Sequence, residues 1–308
     1  MAEYTVSMVI PAYKCADTIQ RSIDSLLAQT RRPDEIIVVD DGSPDDIGPL
    51  LAVYGDAVQL IRKSNGGAAS ARNAGIDAST GNMIAFLDAD DIWEPDKLRQ
   101  QLVVFDAHPE VGLVSSRYIL VEPDDKVRPY PMAHQVSWNR VLHLAGAESF
   151  RLAMYIWTGV VIIRRETLGS DRFDTNLATA EDRDLWARLT LRTPVYITDS
   201  CLARWYERAE SLSHCDIDLD CRCMLRMIRK HSHTLGMAGV RKWETHVYRR
   251  WAGDCLGHGN ARSAVNPAVR RLVYQPLSVE GWWVLLKSAL LALAGKPLRL
   301  QKVQQAVG

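Results

Sequence analysis

The stretch NMIAFLDADDIW, residues 82–93, ends an apolar run on three aspartates, Asp88, Asp90 and Asp91. Carboxylates this close repel one another unless positive charge sits among them. A second acidic group, Glu181, Asp182 and Asp184 in AEDRDLWARL, opens a segment in which Leu185, Trp186 and Leu189 recur at helical spacing. Acidic residues are favoured in the first turn of a helix, and a carboxylate within hydrogen-bond reach of a hydroxyl can also take its proton. Asp184 fits the first-turn role better than Asp182 does.

The elements that must position these groups alternate between strand and helix. VSMVI (6–10) and EIIVV (35–39) are short continuous apolar runs rich in β-branched residues, as expected of strands buried on both faces. Between them Ile19, Ile23, Leu26 and Leu27 recur at helical spacing, with Asp17 as the expected N-cap. AVQLI (57–61) reads as a strand, GGAASARNAGIDAS (66–79) as a small-residue helix close to the sheet, and NMIAFL (82–87) as the next strand. A helix is expected from Pro95, with Leu98, Leu102 and Val103 on one face. Strands are expected in VGLVSS, VVIIR (160–164) and PVYIT (194–198), and a helix over 181–191. The alternation predicts an α/β fold, a doubly wound and mostly parallel sheet with flanking helices. From about residue 216 Arg-rich helical patterns take over, which predicts two parts, 1–215 and a helical C-terminal region 216–308.

In open parallel sheets ligands sit outside the carboxyl ends of the strands. Those ends here are Pro11-Ala12-Tyr13, the turn DDGS (40–43), KSNGGAASARN and DADD. DDGS alone is an ordinary polar turn and SNGG an ordinary helix start; their coincidence on one edge predicts a ligand site. A dinucleotide-binding fold needs a glycine fingerprint directly after strand one, and PAYKCADT has no glycine. A phosphatase with an aspartyl nucleophile would carry its Asp-x-Asp after the first strand, followed by a small hydroxyl residue, whereas Ile92 follows here.

Composition narrows the choice. The 308 residues are 47% hydrophobic and 24% charged, ordinary for a soluble globular protein. Lys+Arg and Asp+Glu are both 37, so no global basic field attracts nucleic acid. The six cysteines are sparse and suit a reduced cytosolic thiol pool. Cys221-x-Cys223 with His231 and His233 matches no common zinc spacing, so packing thiols and surface histidines are expected. No targeting peptide is evident ahead of the first strand. No apolar run reaches the length of a spanning helix; the nearest, 281–294, is short and contains Lys287.

VSMVIPAYKCADTIQRSIDSLLAQT, EIIVVDDGSPDD, NGGAASARNAGIDASTGNMIAFLDADDIW and AEDRDLWARL follow in the order seen in family 2 glycosyltransferases, which the chain resembles over about residues 4–215. The resemblance implies the GT-A fold and transfer of sugar from a nucleotide-diphosphate sugar, a UDP-sugar above all, to a hydroxyl of a glycan or lipid-linked acceptor. DADD resembles the family's Asp-x-Asp motif. Asp90 would then ligate Mn2+ or Mg2+, Asp88 would lie near ribose and metal, and Asp91 would back these residues or cap the Pro95 helix. The resemblance puts the base after Pro11 against Tyr13, its imide on Asp41 or Asp40, and Arg72 near base and phosphates; a helix-surface ion pair is the plainer role for Arg72. Asp182 aligns with the general base of the family's Glu-Asp motif, with Glu181 before it as a candidate contact to acceptor or sugar. One base and a direct displacement imply inversion, since retention by double displacement needs a nucleophile on the other face and no motif for one is present. RWYERAESLSH (204–214) resembles a segment that closes over the diphosphate, which makes Ser211, Ser213 and either Arg204 or Arg208 candidates. Trp157 and Thr158 lie where the family builds its acceptor floor. Processive synthases of the family carry Gln-x-x-Arg-Trp and spanning helices. Leu202-Ala203 precede Arg204-Trp205 here with no matching Gln, which implies transfer of single sugars.

The expected setting is cytoplasmic, with peripheral contact to the inner face of the membrane through 281–300. There Trp282 and Trp283 accompany leucines, Lys287, Lys296 and Arg299; packing on the core explains the same residues equally. The alternative for the whole chain is a non-catalytic sugar-nucleotide-binding or scaffold protein on the same fold. Intact Asp90 and Asp182 together favour catalysis.

Overall fold

A computed structural model describes residues 3–129, 138–208 and 216–294. The chain divides into two compact units, Met1–Ser211 and Leu212–Gly308.

The first unit is built on one sheet. Strand β1 (Val6–Ala12) runs parallel to β2 (Glu35–Asp40) on one side and β4 (Met83–Phe86) on the other, and β3 (Gln59–Arg62) continues beyond β2. β1, β2 and β4 are buried almost throughout because helices cover both faces. On one face α1 (Ile19–Leu27) packs Ile19, Ile23 and Leu26 into a core with Met8, Ile10, Ile36 and Val38. A short α2 (Gly48–Leu51) adds Leu51 to that core. On the other face α3 (Gly67–Ala78) sets Ala71 against Ile37 and Val39. Small residues are needed there: a Cβ at Gly75 would lie 2.3 Å from Val9 Cγ1.

Beyond β4 the sheet turns mixed. β5 (Ile92–Trp93) and α4 (Lys97–Ala107) follow the acidic strand end. β6 (Leu113–Val121), β7 (Val127–Pro129), β8 (Val141–Leu142), α5 (Gly146–Ala153), β9 (Ile162–Arg164), α6 (Arg165–Leu168), α7 (Glu181–Thr190) and β10 (Val195–Tyr206) complete the unit. The order is β3-β2-β1-β4-β9-β6-β10-β5, with β9 antiparallel to both neighbours and β6 parallel to β10. β10 runs well past the expected 194–198, because register shifts on either side of Cys201 let it bend and still pair with β6 and β5. α4 starts at Lys97, and Val103 is exposed; Leu98, Leu102 and Phe105 form the inner face instead. Asp17 does not cap α1, whose cap position is Thr18.

The second unit is helical: α8 (Ile217–Lys230), α9 (Ser232–Gly257), α10 (Ala261–Tyr274) and α11 (Val279–Ala294). Asp216 caps α8 by accepting from Leu219 N at 2.8 Å. Cys221 and Cys223 are buried, unpaired packing thiols, and burial pushes Cys221 up to about 12. Among the described residues no group of three or more His, Cys, Asp and Glu is placed to hold a metal. No described helix is long and apolar enough to cross a membrane.

Candidate active site

The carboxyl ends of β1 to β4 meet at one edge, and the loops there are built by buried aspartates. Asp40 accepts from Ser43 N at 2.8 Å. Asp41 accepts from Gly66 N and Gly67 N, at 3.1 and 2.7 Å, and from Lys63 Nζ at 2.5 Å. Its carboxylate thus closes the positive N-terminus of α3. Gly42 sits at φ +69° between them, where a Cβ would meet Asn65 N at 2.7 Å. Asp40 and Asp41 were expected beside a base; both are buried, and a base would compete with these loop bonds. Tyr13 is 47% exposed at the same edge, with Lys14 Nζ 5.4 Å from its ring centroid, whereas Pro11 is half-buried inside β1.

The acidic turn after β4 is anchored from α1. Arg21 Nη2 donates to Asp90 O at 2.7 Å and Ser22 Oγ to Ala89 O at 2.9 Å. The side chains of Asp88 and Asp90 are each 29% exposed. Burial first, and then the charge of Asp88, push Asp90 up to about 6, with Arg208 opposing at 3.9 Å. Arg208 also pairs with Asp17 at 2.7 Å, while Arg204 pairs with Glu94 at 2.7 Å, so Arg208 is the arginine at the acidic edge. Ser211 and Ser213 lie outside the described residues. Asp91 is fully buried and does not cap α4. Its Oδ1 accepts Tyr206 N at 2.8 Å, which ties the strand end to β10, and its Oδ2 has no partner. Burial and the neighbouring Asp90 and Asp88 hold it well above the usual carboxylate range.

Arg72 joins this edge to the second acidic group. It is buried rather than at a helix surface, with Nη2 2.7 Å from Asp88 Oδ1 and Nη1 2.6 Å from Glu181 Oε1. Glu181 opens α7 directly after Ala180, which holds a left-handed φ of +63°. Burial, with added repulsion from Asp182, raises Glu181 to about 7 against the pull of Arg72. Asp182 is half-buried; Thr158 Oγ1 donates to its Oδ2 at 3.2 Å and Arg183 N to its Oδ1 at 2.7 Å. Glu181 is buried and paired with Arg72. Thr158 is 1% exposed, its hydroxyl accepting from Trp186 Nε1 at 3.3 Å while donating to Asp182, so it orients that carboxylate. Trp157 is half-buried against Tyr118, ring centroids 4.8 Å apart. Asp184 is fully buried and accepts from Arg188 Nε at 3.1 Å.

Arg21, Ser22 and Tyr206 were missed from sequence. A signal existed only for Ser22, a polar residue inside the apolar stripe of Ile19, Ile23 and Leu26.

The glycosyl transferase family 2 model matches residues 7–168, the β1-to-α6 stretch that carries the acidic edge. The chain belongs to glycosyl transferase family 2. The chain is 40% identical over 125 residues to an uncharacterised glycosyltransferase of Nostoc sp., covering 39% of this chain and 38% of that one. It is 30% identical over 201 residues to the amylovoran biosynthesis glycosyltransferase AmsB of Erwinia amylovora, 61% of this chain and 64% of that one. It is 31% identical over 148 residues to WfgD of Escherichia coli, a UDP-Glc:alpha-D-GlcNAc-diphosphoundecaprenol beta-1,3-glucosyltransferase, 47% of this chain and 58% of that one. The chain therefore spans less than two thirds of these relatives' lengths. Among solved structures, S. aureus TarS 1-349 in complex with UDP superimposes with a TM-score of 0.63 at 16% identity, over 97% of this chain and 94% of that one, a likeness of fold.

Proposed function

We propose that the chain moves a single sugar from a UDP-sugar to a hydroxyl of a glycan or lipid-linked acceptor, with inversion at the anomeric carbon. The observation that carries this is the union, through one buried Arg72, of a partly open acidic strand end with the helix that presents Asp182. UDP is the nucleotide named for the TarS complex and in the donor of WfgD.

Asp88 and Asp90 fit a hard divalent cation. They are adjacent, open to one side and purely oxygen donors, and no third carboxylate or imidazole joins them among the described residues, so phosphate oxygens would complete the shell. When bound there, Mn2+ or Mg2+ supplies charge neutralisation for the departing diphosphate. Arg208 adds a guanidinium at the same edge, suited to phosphate oxygens. Tyr13 offers a face for the base. Asp182, with Thr158 on one oxygen and the Arg183 amide on the other, accepts the proton of the attacking hydroxyl.

Peripheral membrane contact belongs to the same reading. α11 packs Val284, Leu291 and Ala292 inward, yet Trp283 is 64% and Leu293 86% exposed, with Trp282, Leu286 and Leu290 also outside. Residues 212–308 carry fifteen Lys and Arg against six Asp and Glu, a charge that suits an anionic leaflet. Residues 295–300 lie outside the described residues.

A thermal-shift series tests the donor site: UDP with Mn2+ should stabilise the wild type far more than UDP alone, and Asp90→Asn should lose the difference. In donor hydrolysis the wild type should release UDP, whereas Asp90→Asn and Asp182→Asn should not. Equal rates in all three would instead favour a non-catalytic binding protein. Co-sedimentation with phosphatidylglycerol vesicles, lost in Trp283→Ser/Leu286→Ser, tests the membrane contact; equal sedimentation of the two proteins would remove it.

A further inference from the structure

Lys97 is fully buried in the first turn of α4, and among the described residues no carboxylate pairs with it. Its Nζ donates to Gln101 Oε1 at 2.6 Å and lies 3.6 Å from the centroid of the Trp93 ring. Burial holds Lys97 well below the usual lysine range, and its amino group donates here whether or not it is charged. The Val160 carbonyl can only accept, so the Gln101 amide turns its NH2 to that carbonyl, at 2.9 Å, and its oxygen to the lysine. The indole N–H of Trp93 donates to Gly159 O at 2.7 Å. Two successive carbonyls of the single turn Thr158–Val160 are thus held by two side chains that share the Lys97 amino group. The turn is also closed from the other side, since a Cβ at Gly159 would lie 2.4 Å from the Trp157 ring. Thr158 of that turn is the residue whose hydroxyl donates to Asp182, and Trp93 follows the acidic strand end by two residues.

We propose that Lys97 is a positioning residue for the transfer reaction. Through Gln101 and Trp93 it sets the turn that orients Asp182, and so locks the donor edge and the base into one geometry. It touches neither donor nor acceptor. The proposal rests on Asp182 acting as the base.

Lys97→Met keeps the length of the side chain and removes the donor. UDP affinity and the KM for donor should stay within about twofold. The kcat of UDP-glucose hydrolysis should fall on the order of 10- to 100-fold, as displaced catalytic groups do. Thr158→Val should show the same split, and Lys97→Met/Thr158→Val should be little slower than Thr158→Val alone, because both act through one contact. Fully multiplying effects would overturn the proposal, as would a wild-type kcat in Lys97→Met beside an inactive Asp182→Asn. A wild-type kcat in Asp182→Asn removes the base reading itself, and this inference with it. Gln101→Met reaches the same turn without touching the lysine and should reproduce the kcat loss if Lys97→Met does not fold; a normal kcat there overturns the idea. A crystal structure of either variant supplies a readout without turnover. The Thr158 Oγ1 to Asp182 Oδ2 separation should open from 3.2 Å to beyond hydrogen-bond reach, and an unchanged distance refutes the coupling.

Discussion

Arg72→Met separates the two carboxylates that Arg72 joins, and its effect should depend on pH with a definite sign. The guanidinium is buried between Asp88 Oδ1 and Glu181 Oε1, at 2.7 and 2.6 Å. Methionine refills most of the stem volume but leaves Glu181 buried without its cation. Removing one partner of a buried pair costs about 3–5 kcal/mol; Asp88 is partly open to water, so the lower end is expected. In the wild type, burial and Asp182 already raise Glu181 from its ordinary value to about 7. The native carboxyl then keeps a proton that the unfolded chain has lost, so this group's stabilising contribution is complete below about pH 4.5 and is lost as pH rises to about 7. At about 1.36 kcal/mol per pKa unit, that loss is about 3 kcal/mol. Without Arg72, only a backbone hydrogen bond opposes burial, Glu181 titrates higher still, and the loss continues above pH 7. Wild type and variant should therefore differ least near pH 5, where both hold Glu181 protonated. They should differ most near pH 9, where the gap grows by about 1.4 kcal/mol for every further unit of elevation. Urea unfolding followed by tryptophan fluorescence at pH 5, 7 and 9 measures this directly. A gap that stays constant, or narrows as pH rises, would refute burial as the dominant influence on Glu181.

Two further outcomes are expected. Gly75→Ala should lower the urea midpoint by an amount equivalent to about 1–3 kcal/mol, because its Cβ would lie 2.3 Å from Val9 Cγ1 in a packed helix-sheet contact; an unchanged midpoint would mean that α3 can lift off the sheet freely. Ala180→Gly should raise Tm by an amount equivalent to about 1 kcal/mol, since a residue with a Cβ at φ +63° is strained and glycine is not; a lower Tm would show that the bend before α7 is not strained.

The parts of this protein legible in its sequence are those that local chemistry writes. Buried strands such as EIIVVD show as unbroken apolar runs because helices cover both sides. Helix α7 shows through the spacing of Leu185, Trp186 and Leu189, all buried. What the sequence hides are contacts fixed by topology. Asp17 stands where a helix cap is expected, but Arg208, 191 positions later, reaches it first. Asp91 has the look of a helix-start residue, yet β10 runs far enough to bring the Tyr206 amide to it. The extension of β10 is itself illegible, because it depends on shifts of register around Cys201 and not on the apolar pattern of PVYIT.

The same distinction separates the residues proposed to do chemistry from those that aim them. Asp90 and Asp182 were nameable from their neighbours in the chain, since a motif is a short-range arrangement. The side chains that orient them come from distant stretches. Arg72 meets Glu181 across 109 positions, Thr158 meets Asp182 across 24, and Gln101 meets Val160 across 59. Several of these are polar residues in buried places, where an unpaired donor or acceptor costs about 1–3 kcal/mol. Arg72, Lys97, Gln101 and Thr158 are each held by a specific partner, and following those partners leads from the end of β4 through α4 and the Thr158 turn to α7. A substitution along that route should disturb turnover before it disturbs nucleotide binding, because in the proposed mechanism the nucleotide meets the sheet edge while the proton meets α7.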